Sequence, residues 1–314
     1  MTEIIKFDHV TKRYGDKIVI DNLNFSIKTG EFITILGTSG SGKTTTLKMI
    51  NRLIEPSSGA VIFDGSQIDQ LDEITLRRRI GYVVQQIGLF PHQIVEENIA
   101  IVPKLLNWDK KTIKARVSEL LSLIKLPYDQ YAKRYPNELS GGQQQRVGVA
   151  RALAADPSVT LFDEPFGAID AITRSELQEE LLTIHKTYPN KTFVFITHDI
   201  YEAFKLGTRV MIMDEGKIAQ FDTPEAILKK PANDFVKRLL DTAKNQESLW
   251  GRNMFDVFRN YYDEFLSALL EHIEISFIAI VTAIVLAILL QYFLTFIKNL
   301  VMLLFIFFFN VCHS

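Results

Sequence analysis

The stretch EFITILGTSGSGKTTTLKMINRL, residues 31–53, decides how the rest of this chain is read. Its first six residues form an apolar run suited to a buried strand, and TTLKMINRL has the apolar spacing of a helix. Between them GTSGSGKT, residues 37–44, satisfies G-x-x-x-x-G-K-[ST] at every fixed position. The order strand, glycine loop, helix turns that string into a phosphate site. Gly37, Gly40 and Gly42 let successive backbone N–H groups converge on phosphate oxygens without a Cβ in the way. The helix N-terminus adds the positive end of its dipole. Lys43 is expected to reach the β- and γ-phosphates and the Thr44 hydroxyl to ligate Mg²⁺, while Thr38, Ser39, Ser41 and Thr45 complete the expected nucleotide-binding set.

A second element, SVTLFDEP at residues 158–165, is an apolar strand ending in two acids. A carboxylate at the C-terminal edge of a strand beside a phosphate loop is placed to hold Mg²⁺ through water, which assigns Asp163 to the metal. Glu164 is then left to orient or deprotonate an attacking water. Thr160 makes this strand slightly less apolar, a small departure because threonine suits strands.

Composition limits the partners. The 314 residues include 35 Lys and Arg against 37 Asp and Glu, a net charge of −2 that leaves no electrostatic footprint for nucleic acid. Cys312 is the one cysteine, so no internal disulfide can form, and MTEIIKFDHV lacks the pattern of a signal peptide. The first domain is therefore expected in the cytosol. Arg77, Arg78 and Arg79 suit the C-terminus of a short helix rather than a binding patch. His9, His92 and His185 have no partners at metal-site spacing, and Gln143, Gln144 and Gln145 read as solvated or interfacial positions on a helix.

The stretch ELSGGQQQRVGVARALAADP, residues 138–157, narrows the nucleotide site further. LSGGQ followed by a basic helix, ahead of the acidic strand end, resembles the signature of the ATP-binding cassette (ABC) ATPases. Tyr14 in TKRYGD, Gln85 in IGYVVQQ, FGAID at 166–170 and His198 in FVFITHD fall in the family's order. The resemblance implies an α/β P-loop fold of ABC type, with a mixed sheet core, a small antiparallel β part and a helical subdomain over about 87–157, in an ATPase domain spanning 1–240. It implies that Tyr14 stacks on adenine, and that Ser140, Gly141, Gly142 and Gln143 meet the γ-phosphate of ATP held by a second copy in a head-to-tail dimer. It further implies that Gln85 contacts Mg²⁺ and the water, that His198 contacts the γ-phosphate, and that Asp170 reaches across the dimer.

Within the ABC proteins, MINRLIEPSSGAVIFDGSQI and LRRRIGYVVQQIGLFPHQIVEENIAIVPKLLNW resemble the importers of quaternary amines and osmoprotectants such as glycine betaine, choline and carnitine. The implied partners are membrane permease subunits and an extracytoplasmic solute-binding protein. An importer of another small polar solute, or a membrane-tethered regulatory ATPase, stays open. Many ATPases of this group carry CBS modules after the cassette, and this chain shows none.

Beyond a polar linker expected at 241–253, Phe255, Phe258, Tyr262, Phe265, Leu266, Leu269 and Leu270 mark one face of an amphipathic helix over 254–272. Residues 273–309 hold one acid, Glu274, and one base, Lys298. The run 275–297 is long enough, at about 1.5 Å per residue, to cross a hydrocarbon core of about 30 Å, which gives residues 273–314 as a transmembrane segment. The expected location is the cytoplasmic face of the cell membrane. The segment also resembles the opening of a permease, which makes Met254 a candidate seam between two fused genes; a deliberate single-span anchor is the rival expectation.

Overall fold

Uninterrupted apolar runs build the central layer, and alternating runs build the layer beside it. The computed structural model of the chain describes residues 2–84, 88–167 and 169–242. In chain order the strands are β1 (Glu3–Tyr14), β2 (Lys17–Lys28), β3 (Phe32–Gly37), β4 (Ser58–Phe63), β5 (Ser66–Gln67), β6 (Ile80–Val83), β7 (Val159–Asp163), β8 (Thr192–Ile196), β9 (Arg209–Asp214) and β10 (Lys217–Asp222). The helices are α1 (Lys43–Ile50), α2 (Glu73–Arg78), α3 (Val95–Ile99), α4 (Ile101–Leu105), α5 (Lys110–Leu123), α6 (Tyr128–Tyr131), α7 (Gly141–Leu153), α8 (Ala171–Thr187), α9 (Ile200–Leu206) and α10 (Pro224–Lys229). A further helical stretch covers 234–242.

One sheet runs β10-β9-β3-β8-β7-β6, parallel except for the antiparallel edge strand β10; the other is antiparallel in the order β2-β1-β4-β5. In the parallel sheet β3, β7 and β8 are buried at every position, as strands covered on both faces must be. Their alternation then sorts side chains between two cores. Ile33, Ile35, Val159, Leu161, Val194 and Ile196 pack with Phe7, Ile20, Ile27, Val61 and Phe63 of the antiparallel sheet. Phe32, Phe162, Phe193 and Phe195 pack with the helices, among them Val147 of α7 and Leu181 of α8. A third, smaller core joins Leu36, Val210 and Ile212 to Ala203, Ile227, Val236 and Leu240. Thr160 lies fully inside with its hydroxyl unpartnered among the described residues, so this departure from an apolar strand is tolerated at full burial.

The chain between β6 and β7 runs through α3 to α7, in the region where the sequence places a helical part. Local caps explain several helix starts. Asp109 accepts from Lys111 N and Thr112 N at the head of α5, Asp170 from Thr173 N at α8, and Asp199 from Tyr201 N and Glu202 N at α9. The three arginines close α2 as expected, with Arg77 donating to the carbonyls of Asn51 and Arg52.

One boundary moves. The polar run expected to begin a linker at 241 starts as helix, where Thr242 Oγ1 donates to Arg238 O at 2.8 Å. The amphipathic helix expected at 254–272, the span expected at 273–314 and the seam at Met254 lie outside the described residues, as does Gln85. Among the described residues no helix is long and apolar enough to cross a membrane.

The buried phenylalanines of the parallel sheet pack ring against ring. Phe195 lies 5.4 Å from Phe166, 5.8 Å from Phe162 and 6.2 Å from Phe32, ring centroid to centroid. Phe195→Ala is expected to destabilise the domain by about 3–5 kcal/mol. The midpoint of denaturant unfolding checks this, and an unchanged midpoint would show that the ring is not a packing centre.

Candidate nucleotide site

Parallel register brings three loops to one edge. Ile35 and Asp163 both pair with Ile196, so the chain leaving β3, β7 and β8 emerges side by side at the C-terminal edge of the sheet. An open parallel sheet binds ligands at such an edge. The loop after β3 is 38–42, the turn after β7 begins with Glu164, and the turn after β8 contains His198.

The loop after β3 can be built only with glycine at certain places. Gly40 and Gly42 have φ of 80° and 98°, in the left-handed region. A Cβ on Gly42 would run into the Ile20 side chain of β2, and one on Gly37 into the carbonyl oxygen of Met213. The loop is held from behind as well. Gly216 N, in the turn between β9 and β10, donates to Ser41 O at 3.2 Å, and Asp21 N of β2 donates to Gly216 O at 3.0 Å. A Cβ on Gly216 would lie 2.5 Å from Val19 O. Loop, antiparallel sheet and hairpin turn therefore share one crowded joint.

Lys43, only 6% exposed, begins α1 and turns back over the loop. Its ammonium donates to Gly37 O at 2.8 Å and Thr38 O at 3.0 Å. Burial pulls its pKa below the usual lysine value, against the opposing charges of Glu164 and Asp163.

Asp163 is 7% exposed, and both its oxygens are engaged by hydroxyls. Thr44 Oγ1 donates to Oδ1 at 3.0 Å, and the Tyr82 phenol donates to Oδ2 at 3.2 Å. Burial, then the Asp163 charge and this hydrogen bond, push the Tyr82 phenol well above its ordinary pKa, so it stays a neutral donor. A carboxylate facing a threonine hydroxyl at the mouth of the phosphate loop is a hard-oxygen donor set, which fits Mg²⁺.

Glu164 follows with φ of 45°, a rare backbone state for a side chain of this kind. Its N–H donates to Ile196 O at 3.2 Å, fixing the turn against the next strand. Its Oε2 lies 3.4 Å from Nδ1 of His198, whose side chain is 66% exposed. Ser39, Gly40, Gly42, Lys43, Thr44, Thr45, Glu164 and His198 line one cleft of about 390 Å³ together with Val19.

The other expected site residues are not among the residues lining this cleft. Tyr14 ends β1, is 51% exposed, and carries the Lys12 ammonium 4.9 Å from its ring centre. Ser140 caps α7: its Oγ accepts from Gln143 N at 3.3 Å, and its own N–H donates to Gln143 Oε1 at 3.0 Å. Gly141 follows at the exposed head of the helix, and a Cβ on Gly142 would lie 2.5 Å from Thr173 Cγ2, so α7 and α8 approach closely there. Asp170 serves as the cap of α8, its Oδ1 accepting from Thr173 N at 3.0 Å.

Sequence reasoning missed Tyr82 and Val19. Tyr82 had a faint signal as the hydroxyl-bearing residue of the apolar run IGYVV; Val19, one strand residue among several, had none.

The glycine loop, the strand-end acids and the parallel sheet define a P-loop nucleotide-binding domain. Residues 20–167 match the family model described as ABC transporter. A glycine betaine/carnitine/choline transport ATP-binding protein of Bacillus subtilis, OpuCA, is 53% identical over 238 residues, covering 76% of this chain and 62% of its own. The glycine betaine uptake system ATP-binding protein YehX of Escherichia coli is 51% identical, covering 75% of this chain and 76% of its own. A dimeric structure of the ATP-binding cassette MJ0796, in a post-hydrolysis state bound to ADP and Pi, superposes with a TM-score of 0.62 at 36% identity over 70% of this chain and 99% of that one. The chain belongs to the ABC transporter family. It spans about three fifths of the length of several of the curated relatives it matches.

Gly42→Ala tests the loop directly. Forcing a side chain into left-handed backbone costs about 1–2 kcal/mol per residue, before the collision with Ile20, so nucleotide affinity is expected to fall about tenfold or more. Titration with a fluorescent ATP analogue reads the change.

Proposed function

We propose that this chain is the ATP-hydrolysing subunit of an importer for quaternary-amine osmoprotectants. The observation that carries the catalytic part is Glu164, held on a left-handed turn beside Lys43 and Thr44 in the cleft and 3.4 Å from His198. A carboxylate fixed there is positioned to act on a water near a terminal phosphate. The solute class is supported by the names of the relatives that are about half identical.

In the proposed mechanism the loop amides, Thr38, Ser39, Ser41 and Thr45 bind the phosphates and Lys43 moves from its loop carbonyls onto them. Thr44 and Asp163, with Gln85 from outside the described residues, would hold Mg²⁺, whose charge offsets that of the phosphates. Glu164 accepts a proton from water as the water oxygen bonds to the γ-phosphorus and the bond to the β–γ bridging oxygen breaks. His198 orients the γ-phosphate against that carboxylate. Tyr14 offers its free face to adenine. Ser140, Gly141, Gly142 and Gln143 of a second copy close over the γ-phosphate, and Asp170 contacts that copy, in a head-to-tail dimer. Closure then drives permease subunits that receive solute from an extracytoplasmic binding protein.

The apolar run 275–297, within the segment 273–314, is proposed as a single span that keeps the ATPase at the cytoplasmic face of the membrane. The family match at 20–167 lends no support to reading the residues after Met254 as a permease fragment. Sequencing the coding DNA around codon 254 distinguishes a gene fusion from a built-in anchor.

Glu164→Gln is expected to bind ATP normally and lower kcat by about 10²–10⁴-fold, the usual contribution of a general base. Hydrolysis at the native rate would remove the assignment. For the solute, the chain reconstituted with its permease and binding protein should hydrolyse ATP faster on addition of glycine betaine, choline or carnitine. Stimulation by an amino acid instead would move the substrate class.

A further inference from the structure

We infer that Arg174 is a positioning residue that ties the loop of Asp170 to the turn carrying His198. The inference rests on the ATPase reading above and concerns what holds two of its loops in register.

Arg174 lies in the first turn of α8, its backbone N–H donating to Asp170 O at 2.9 Å. One guanidinium nitrogen, Nη2, donates to Ile169 O at 3.1 Å, in the loop just ahead of Asp170. The other, Nη1, faces Asp199 Oδ2 at 3.8 Å. The planar guanidinium thus donates a hydrogen bond to one segment while it sets its charge against a carboxylate on another, which a lysine ammonium on a flexible stem does poorly.

Asp199 is itself fixed on several sides. Its Oδ1 accepts from Tyr201 N at 2.9 Å and Glu202 N at 3.2 Å, and its own N–H donates to Thr197 Oγ1 at 3.0 Å. Thr197 is buried, and its N–H donates to Ile35 O of β3 at 3.1 Å. His198 therefore stands between two anchored neighbours with its ring toward Glu164. The contact from Arg174 links that anchor to α8, the helix that Asp170 caps. A displacement of the Asp170 loop is thereby carried to the His198 turn. The Arg174 Nε is buried without a hydrogen-bond partner among the described residues, so the side chain is oriented by the Nη2 hydrogen bond to Ile169 and the charge contact with Asp199.

The test compares Arg174→Met, Arg174→Lys, Asp199→Asn and the Arg174→Met/Asp199→Asn double variant in the full chain, with Glu164→Gln alongside. Arg174→Met is expected to lower kcat roughly ten- to a hundredfold, the scale of a small misplacement of reacting groups. The Kd for a fluorescent ATP analogue and the melting temperature should stay near native values. Lysine should recover part of the rate, because it retains the charge facing Asp199. The double variant should be no slower than Arg174→Met alone, since both changes break one link.

A native kcat in Arg174→Met, additive losses in the double variant, or a loss that follows Kd or melting temperature would each overturn the inference. Should the methionine variant fail to fold, Arg174→Lys and Asp199→Asn carry the comparison: reduced kcat at unchanged Kd supports it, and native kcat in both overturns it. If Glu164→Gln is inactive while Arg174→Met matches the native enzyme, the positioning role alone fails. If Glu164→Gln hydrolyses ATP normally, the ATPase reading fails and takes this one with it.

Discussion

Backbone can approach an anion closely only where no Cβ intervenes, and residues 37–42 are arranged around that constraint. Gly37 abuts the Met213 carbonyl and Gly42 the Ile20 side chain, so the loop has neighbours on two sides and an open face on the third. Everything else in the site is referred to that open face. The acids of β7 reach it because β7 and β3 both pair with β8. Thr44 reaches Asp163 because α1 begins directly at the end of the loop.

Charge in the site is handled by placement. Asp163 is nearly buried, yet it is met by two neutral hydroxyls rather than by a cation, so its negative charge stays available for an incoming positive one. Lys43, the nearby cation, is occupied by loop carbonyls. The two opposite charges are thus kept from cancelling each other in a tight pair. Elsewhere buried charge is paired outright: Glu180, which is nearly inaccessible, lies 3.0 Å from Arg146 and 3.4 Å from Lys125.

Legibility in the sequence followed locality. GTSGSGKT and LFDEP could be read because each puts its chemistry within eight consecutive residues at the end of a strand and in what directly follows it. Apolar runs likewise marked β3, β7 and β8. Tyr82 could not be read, because its bond to Asp163 depends on β6 lying beside β7, a neighbour relation between strands 76 or more residues apart that no short pattern encodes. The Glu164–His198 approach was likewise hidden in the β7–β8 register. Asp170 and Ser140 were singled out for a partner copy, and the structure gives both a local duty as helix caps, which their position just before a helix could have signalled. Gln145 misled: expected as a solvated or interfacial position, it is buried in α7, because a single polar residue does not tell which face of a helix it lies on.

The crowded joint behind the phosphate loop has one more implication. Ser41, Gly216, Asp21 and Val19 join the loop to the hairpin turn of β9 and β10 and to β2 of the antiparallel sheet. Phosphates gripped on the open face of the loop would therefore also limit how far those two sheets can part. Free energy of ligand binding then appears as resistance to local opening, by linkage. Slower amide hydrogen exchange on β2, far along the chain from the acids of β7, would be the mark of a loaded site.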